Sequence, residues 1–65
     1  MFKKSFYYNI IIKVRPDGSD PAFEQGVIDV PFYWNGQDAF QQCVDYIKKN
    51  YEVNYGFHFQ DFRRV

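Results

Sequence analysis

The run Ser5 to Val14, SFYYNIIIKV, limits what this chain can fold into more than any other stretch. Phe6, Tyr8, Ile10, Ile12 and Val14 are all apolar and alternate with the mixed set Ser5, Tyr7, Asn9, Ile11 and Lys13. A period of two with one wholly apolar side marks a β-strand that buries one face. The run is also the longest strongly strand-favouring segment, so it is expected at the centre of a small sheet.

The remainder of the 65 residues is too short for more than one domain over 1–65. A chain of this size buries only about 60% of the surface its unfolded form exposes. Small domains usually make up the shortfall with disulfides, metal or oligomerisation. Cys43 is the only cysteine, which excludes an internal disulfide, and with one histidine there is no four-ligand zinc set. No metal and no cofactor is expected. Dense packing and self-association remain, and eight Phe, six Tyr and one Trp, 23% of the chain, suit both.

Eight basic residues balance eight acidic ones, so no net field steers the chain toward nucleic acid or anionic lipid. The N-terminal MFKKSF precedes an apolar run broken by Asn9 and Lys13, without a small-residue cleavage site; no signal peptide is expected. No stretch approaches the roughly 20 apolar residues of a membrane span. One unpaired cysteine suits a reducing compartment, and the cytoplasm is the expected location.

Beyond Arg15, the residues Pro16, Asp17 and Gly18 carry turn chemistry. The connection RPDGSDPAFEQG, with its second proline, is expected as a long exposed loop rather than a tight turn. Asp17 and Asp20 lack the further oxygen ligands of a calcium loop. The second strand is expected over Gly26 to Trp34: Ile28, Val30 and Phe32 make one apolar face, and Pro31 points to an edge strand or a bulge. Asn35 then suits a helix N-cap, with Asp38 in the first turn. Phe40, Val44, Ile47 and Tyr51 form an apolar stripe with Ala39 and Cys43 beside it, and Asn50 is a candidate left-handed terminator. Val53 to Phe62 is the third strand, with Val53, Tyr55, Phe57 and Phe59 on one face. Its alternation slips at Asp61, so either a bulge returns Phe62 to the core or Phe62 faces out.

The order strand, strand, helix, strand makes this an α+β chain. A hairpin sets the first two strands antiparallel, and a right-handed crossover places the third on the far side of the first. The expectation is a three-stranded antiparallel sheet in spatial order 2-1-3, with one helix on one face. Phe6, Tyr8, Phe32, Phe40, Tyr51, Tyr55, Phe57 and Phe59 would fill the helix-facing core, with Trp34 at its margin.

One helix cannot cover the other face, on which Tyr7, Asn9, Ile11, Lys13, Val27, Tyr33, His58 and, in the bulge-free arrangement, Phe62 are the candidate protein-binding residues. Exposed apolar patches beyond a few hundred Å² commonly meet a partner. The topology also gathers Lys3 and Lys4 near Arg63 and Arg64, beside the helix N-terminus, as a candidate anion or nucleic-acid site.

Tyr55 to Phe62, YGFHFQDF, resembles the octamer of the RNA-recognition motif, in which a basic residue and Gly lead alternating aromatics that stack on bases. Gly56, Phe57, Phe59 and Phe62 match, while Tyr55, His58 and Gln60 depart from it. The resemblance covers eight residues. The full motif needs four strands and two helices, which this order does not supply, and the face assignment turns Phe57 and Phe59 toward the helix, away from any base. The octamer is read as a product of aromatic abundance.

Enzymatic chemistry has no support in the residues. Cys43 and His58 are expected on opposite sides of the sheet, out of hydrogen-bond reach, and no carboxylate pair or phosphate loop offers an alternative. The sequence points to a small non-enzymatic protein-binding module that self-associates through the uncovered face or a sheet edge. The second reading is a single-strand nucleic-acid binder using sheet-face aromatics and the four cations.

Overall fold

The computed structural model describes residues 2–65. The chain runs β1 (Lys3–Ile12), β2 (Ala22–Pro31), α1 (Gly36–Asn50) and β3 (Phe57–Arg64). The three strands form one antiparallel sheet in the order β2-β1-β3, with the helix against one face. The topology inferred from the element order therefore holds.

Strand β1 is central because its even positions are the only set apolar enough to be buried along the whole length: Phe6, Tyr8, Ile10 and Ile12 are all buried. Its boundaries lie two residues earlier than the alternation implies. Val14 is exposed, and the Lys13 amide donates to the Gly56 carbonyl at 3.0 Å in the loop region before β3.

The register moves β2 as well. Ile12 pairs with Ala22 and Lys3 with Pro31, so β2 starts four residues before Gly26 and stops before Phe32. The connection shrinks to Lys13–Pro21, still an exposed loop rather than a tight turn, and is closed by local bonds. The Gly18 amide donates to Arg15 at 3.0 Å, both the amide and the hydroxyl of Ser19 donate to Asp17 Oδ1, and Arg15 pairs with Asp20 at 3.3 Å. After Pro31 the chain turns, the Trp34 amide donating to the Pro31 carbonyl at 3.1 Å. Phe32 is thus carried out of the core and is exposed, touching Phe2 and Tyr33 edge-on.

Asn35 caps α1, its Oδ1 accepting from the Asp38 amide at 2.7 Å. The buried stripe is Ala39, Cys43 and Ile47, one position round from the stripe of large residues. Small side chains at 39 and 43 let the helix approach the sheet closely, and Phe40 then lies at the flank, 4.6 Å from Phe59 and 5.3 Å from Phe62 between ring centres. Asn50 does not terminate the helix in a left-handed conformation. The cap is extended Tyr51, whose amide donates to Ile47, and the Asn50 side chain donates to the Tyr46 carbonyl.

Strand β3 starts later than the alternation suggests, because Val53 to Gly56 form a turn: the Gly56 amide donates to Val53 at 3.0 Å, with Gly56 at φ +97°. Tyr55 in that turn is exposed, outside the core. Along β3 the register shifts opposite Asn9 and Ile10, Phe59 pairing with Ile10 but Asp61 with Asn9. Gln60 is the extra residue of a bulge. The bulge turns Phe62 to the helix side, where it stacks on Phe6 with centres 5.2 Å apart and planes 5° from parallel.

Candidate interaction surface

The face of the sheet away from the helix is built from the odd positions of β1 and β2 and the alternate positions of β3, because cross-strand partners point to the same side. Its centre is Tyr7. The Tyr7 hydroxyl donates to Gln25 Oε1 at 2.7 Å and accepts from Asn9 Nδ2 at 3.3 Å. The guanidinium of Arg63 lies 5.1 Å from the ring centre, a cation–π distance, and also sits 3.6 Å from Asp61. Further along, Ser5 Oγ donates to Asp29 Oδ1 at 2.5 Å. The middle of this face is therefore a self-satisfied polar lattice, and its ring is already covered by Arg63.

The candidate residues distribute unevenly over this geometry. Tyr7, Asn9, Ile11, Val27 and His58 are on the open face, where Val27 pairs with Tyr7, and His58 with Ile11. Lys13 lies just past the end of β1. Tyr33 is not on the face: β2 has ended, and Tyr33 projects from the following turn, 74% exposed. Phe62 is not on it either, since the Gln60 bulge reverses its side and packs it on Phe6.

The four cations are at one end of the sheet but do not converge. Lys3 and Arg63 belong to the open face. Lys4, whose Nζ lies 5.9 Å from the centre of the Phe6 ring, and Arg64, paired with Phe6, belong to the helix side. The sheet separates the two pairs.

Two residues with chemical potential also lie apart. Cys43 is fully buried, and burial pushes its thiol up to about 11, which keeps it a protonated apolar group. His58 is exposed on the opposite face of the sheet. Among the described residues no group of three or more His, Cys, Asp or Glu is arranged to hold a metal ion. No described helix is long and apolar enough to cross a membrane.

The two outer edges of the sheet differ sharply. The β3 edge is interrupted by its bulge and ends in Arg63 and Arg64, devices that discourage further pairing. Strand β2 pairs with β1 alone over ten residues in unbroken register, with no lysine or arginine and with proline only at its last position. On its open-face side Phe23 is 63% exposed and Val27 58%. Sequence reasoning missed Phe23 and Gln25 as surface residues of this edge, because Glu24 and Gly26 interrupt the buried side of the strand and its start was set at Gly26. The signal was the other side: Phe23, Gln25, Val27 and Asp29 continue the period of two back to Ala22.

A shallow depression of about 250 Å³ adjoins this edge, lined by Asn9, Phe23, Glu24, Gln25 and Gln60. A second, of about 380 Å³, lies by Trp34 on the outer side of the helix with Asp38, Gln41, Gln42 and Asp45. The chain matches no protein-family model, and no curated protein or solved structure compared with it is similar.

Proposed function

We propose that this chain is a non-enzymatic protein-binding module that works by strand addition at the outer edge of β2. The observation that supports the reading most is the contrast between the two edges: β2 offers ten residues in unbroken register with no lysine or arginine, Glu24 and Asp29 being its only charges, while β3 is bulged and cationic. An extended partner gains main-chain hydrogen bonds at such an edge and side-chain contacts from alternate residues. Phe23 and Val27 are the apolar contacts on the open side, and a long free edge of this kind is a template for pairing unless blunted. The reading narrows the interaction from the face to the edge, because the centre of the face is occupied by bonds among its own side chains.

Extended ten-residue peptides selected from a library supply the probe. In amide NMR spectra, addition of a selected peptide is expected to perturb Ala22 to Val30 and to slow exchange of amides there. Val27→Lys, which places a charge on an already exposed position, is expected to abolish the effect without unfolding the chain. Perturbation confined to the helix, or none with any selected peptide, overturns the proposal.

A further inference from the structure

We propose that the strand added at this edge is β2 of a second copy, in one register: antiparallel, with Val27 of each copy on the two-fold axis. The inference rests on the strand-addition reading and names its occupant. An antiparallel pair of identical strands is related by a two-fold axis perpendicular to the sheet, which keeps the open faces of both copies on one side. Open-face residues therefore stand only opposite open-face residues. That restriction leaves few registers, and two of them use nearly all of β2.

With Val27 on the axis, Gln25 stands opposite Asp29 of the second copy, and Phe23 opposite Pro31, each twice by symmetry. Val27 meets Val27. The polar match is set up inside each chain. Gln25 spends its Oε1 on the Tyr7 hydroxyl, which leaves its Nε2 hydrogens to donate. Asp29 spends Oδ1 on Ser5, which leaves Oδ2 to accept. Directly opposite residues have Cβ atoms about 4.5–5.5 Å apart, within reach of this bond. On the helix side, Ile28, half-buried in the single chain, stands opposite Gly26, over which the Tyr8 ring lies, and Glu24 stands opposite Val30.

The competing long register, with Gly26 on the axis, opposes Phe23 to the Asp29 carboxylate and Gln25 to Val27, matching an apolar to a polar group at both places. A register centred on Gln25 engages only Ala22 to Ile28. Of the two registers that use nearly all of β2, only the one with Val27 central sets polar against polar and apolar against apolar on the open face, Glu24 opposite Val30 being its one mismatch on the helix side. The result is one continuous sheet of six strands, three from each copy, with both helices on the same face.

The test uses the full chain. Sedimentation at micromolar concentration is expected to give a dimer. Val27→Cys is expected to oxidise to a covalent dimer with native secondary structure, whereas Gln25→Cys and the exposed control Tyr33→Cys are not. Gln25→Glu keeps the acceptor for Tyr7 but replaces the donor by a second carboxylate, and should weaken the dimer about tenfold. Combining it with Asp29→Asn restores donor and acceptor in exchanged places and should recover the lost affinity. A monomer under all conditions overturns this inference and leaves strand addition by a different protein standing. A dimer with protected β2 amides in which Gln25→Cys and not Val27→Cys cross-links overturns the register. A dimer whose β2 amides exchange freely overturns both this inference and the strand-addition reading.

Discussion

The ring of Tyr8 lies across Gly26 on the neighbouring strand, so closely that a Cβ at position 26 would stand 2.7 Å from the Tyr8 hydroxyl oxygen and 2.9 Å from Cζ. The two residues are directly paired in the β1–β2 ladder. A glycine in a strand normally weakens it, and an aromatic ring laid over the gap restores cross-strand contact. Tyr8 is only 4% exposed, and burial, with the neighbouring Tyr51 phenol adding to it, holds its hydroxyl protonated well above the usual phenol range. The glycine that interrupts the apolar side of β2 is thus what gives the largest β1 core residue its place.

Gly26→Ala is expected to destabilise the chain, by about 1–3 kcal/mol, because a methyl group there overpacks a ring with little room to shift. Urea unfolding measures it. Gly36→Ala is the control: nothing lies within 4 Å of a Cβ there, and the position opens a helix, so its effect should stay within about 0.5 kcal/mol. Adding Tyr8→Phe to Gly26→Ala removes the closest atom and should recover part of the loss. Equal effects of the two glycine substitutions would refute the packing role.

Gln60 is the extra residue of the β3 bulge, and removing it leaves Phe59 and Phe62 on the same side as before, now in an unbroken ladder. Deletion of Gln60 is therefore expected to preserve the fold, with stability within about 1 kcal/mol of the parent chain. Deletion of His58 instead puts Phe57 out of phase and should abolish cooperative unfolding. Phe62→Ala should cost about 2 kcal/mol, less than the ~3–5 of fully buried phenylalanines, because Phe62 is half-buried. Thermal and urea melts of the three variants distinguish them.

What could be read in the chain follows from how local each cause is. The central place of β1 rests on its own alternation, and the 2-1-3 order on connection rules that need only the element order. Tyr7, Asn9, Ile11, Val27 and His58 reach the open face because each lies in regular strand. Tyr33 and Phe62 did not follow their phase for reasons outside it: a turn bonded from Trp34 to Pro31 ends β2 early, and the bulge at Gln60 flips the rest of β3. The helix stripe was displaced for another reason. Large side chains dominate a periodicity, yet Ala39 and Cys43 occupy the line of closest approach because they are small. The value of the β2 edge depended on pairing register, which no single strand contains.

The buried thiol makes a pH prediction. Cys43 is pushed up to about 11 in the folded chain, above an unfolded thiol. Deprotonation then favours the unfolded chain, so the stabilising difference is complete below the unfolded value and is lost as pH rises from about 9 toward 11. Stability should be flat with respect to this group from pH 7 to about 8.5, then fall by up to about 1.4 kcal/mol per pH unit. Raised Tyr8 acts in the same direction at still higher pH. Cys43→Ala should remove the first part of the decline while leaving the second. In the native chain at pH 8 the thiol should resist a disulfide reagent, and it should react fully in urea; rapid native labelling would contradict its burial.

The division of the cations by the sheet sets an expectation for nucleic acid. A single strand tracks a continuous cationic groove and stacks its bases on exposed aromatic faces. Here Lys3 and Arg63 lie on one side of the sheet and Lys4 and Arg64 on the other, and the Tyr7 ring that would receive a base is already covered by Arg63, itself beside Asp61. Fluorescence anisotropy of a labelled oligothymidylate is expected to stay unchanged at low salt. Binding that weakens with salt by a log–log slope of about −0.7 per phosphate neutralised would reverse this expectation. Lys3→Glu with Arg63→Glu would then locate the groove: loss of binding in that pair, with Lys4→Glu and Arg64→Glu silent, would place the strand on the open face and displace strand addition as the leading function.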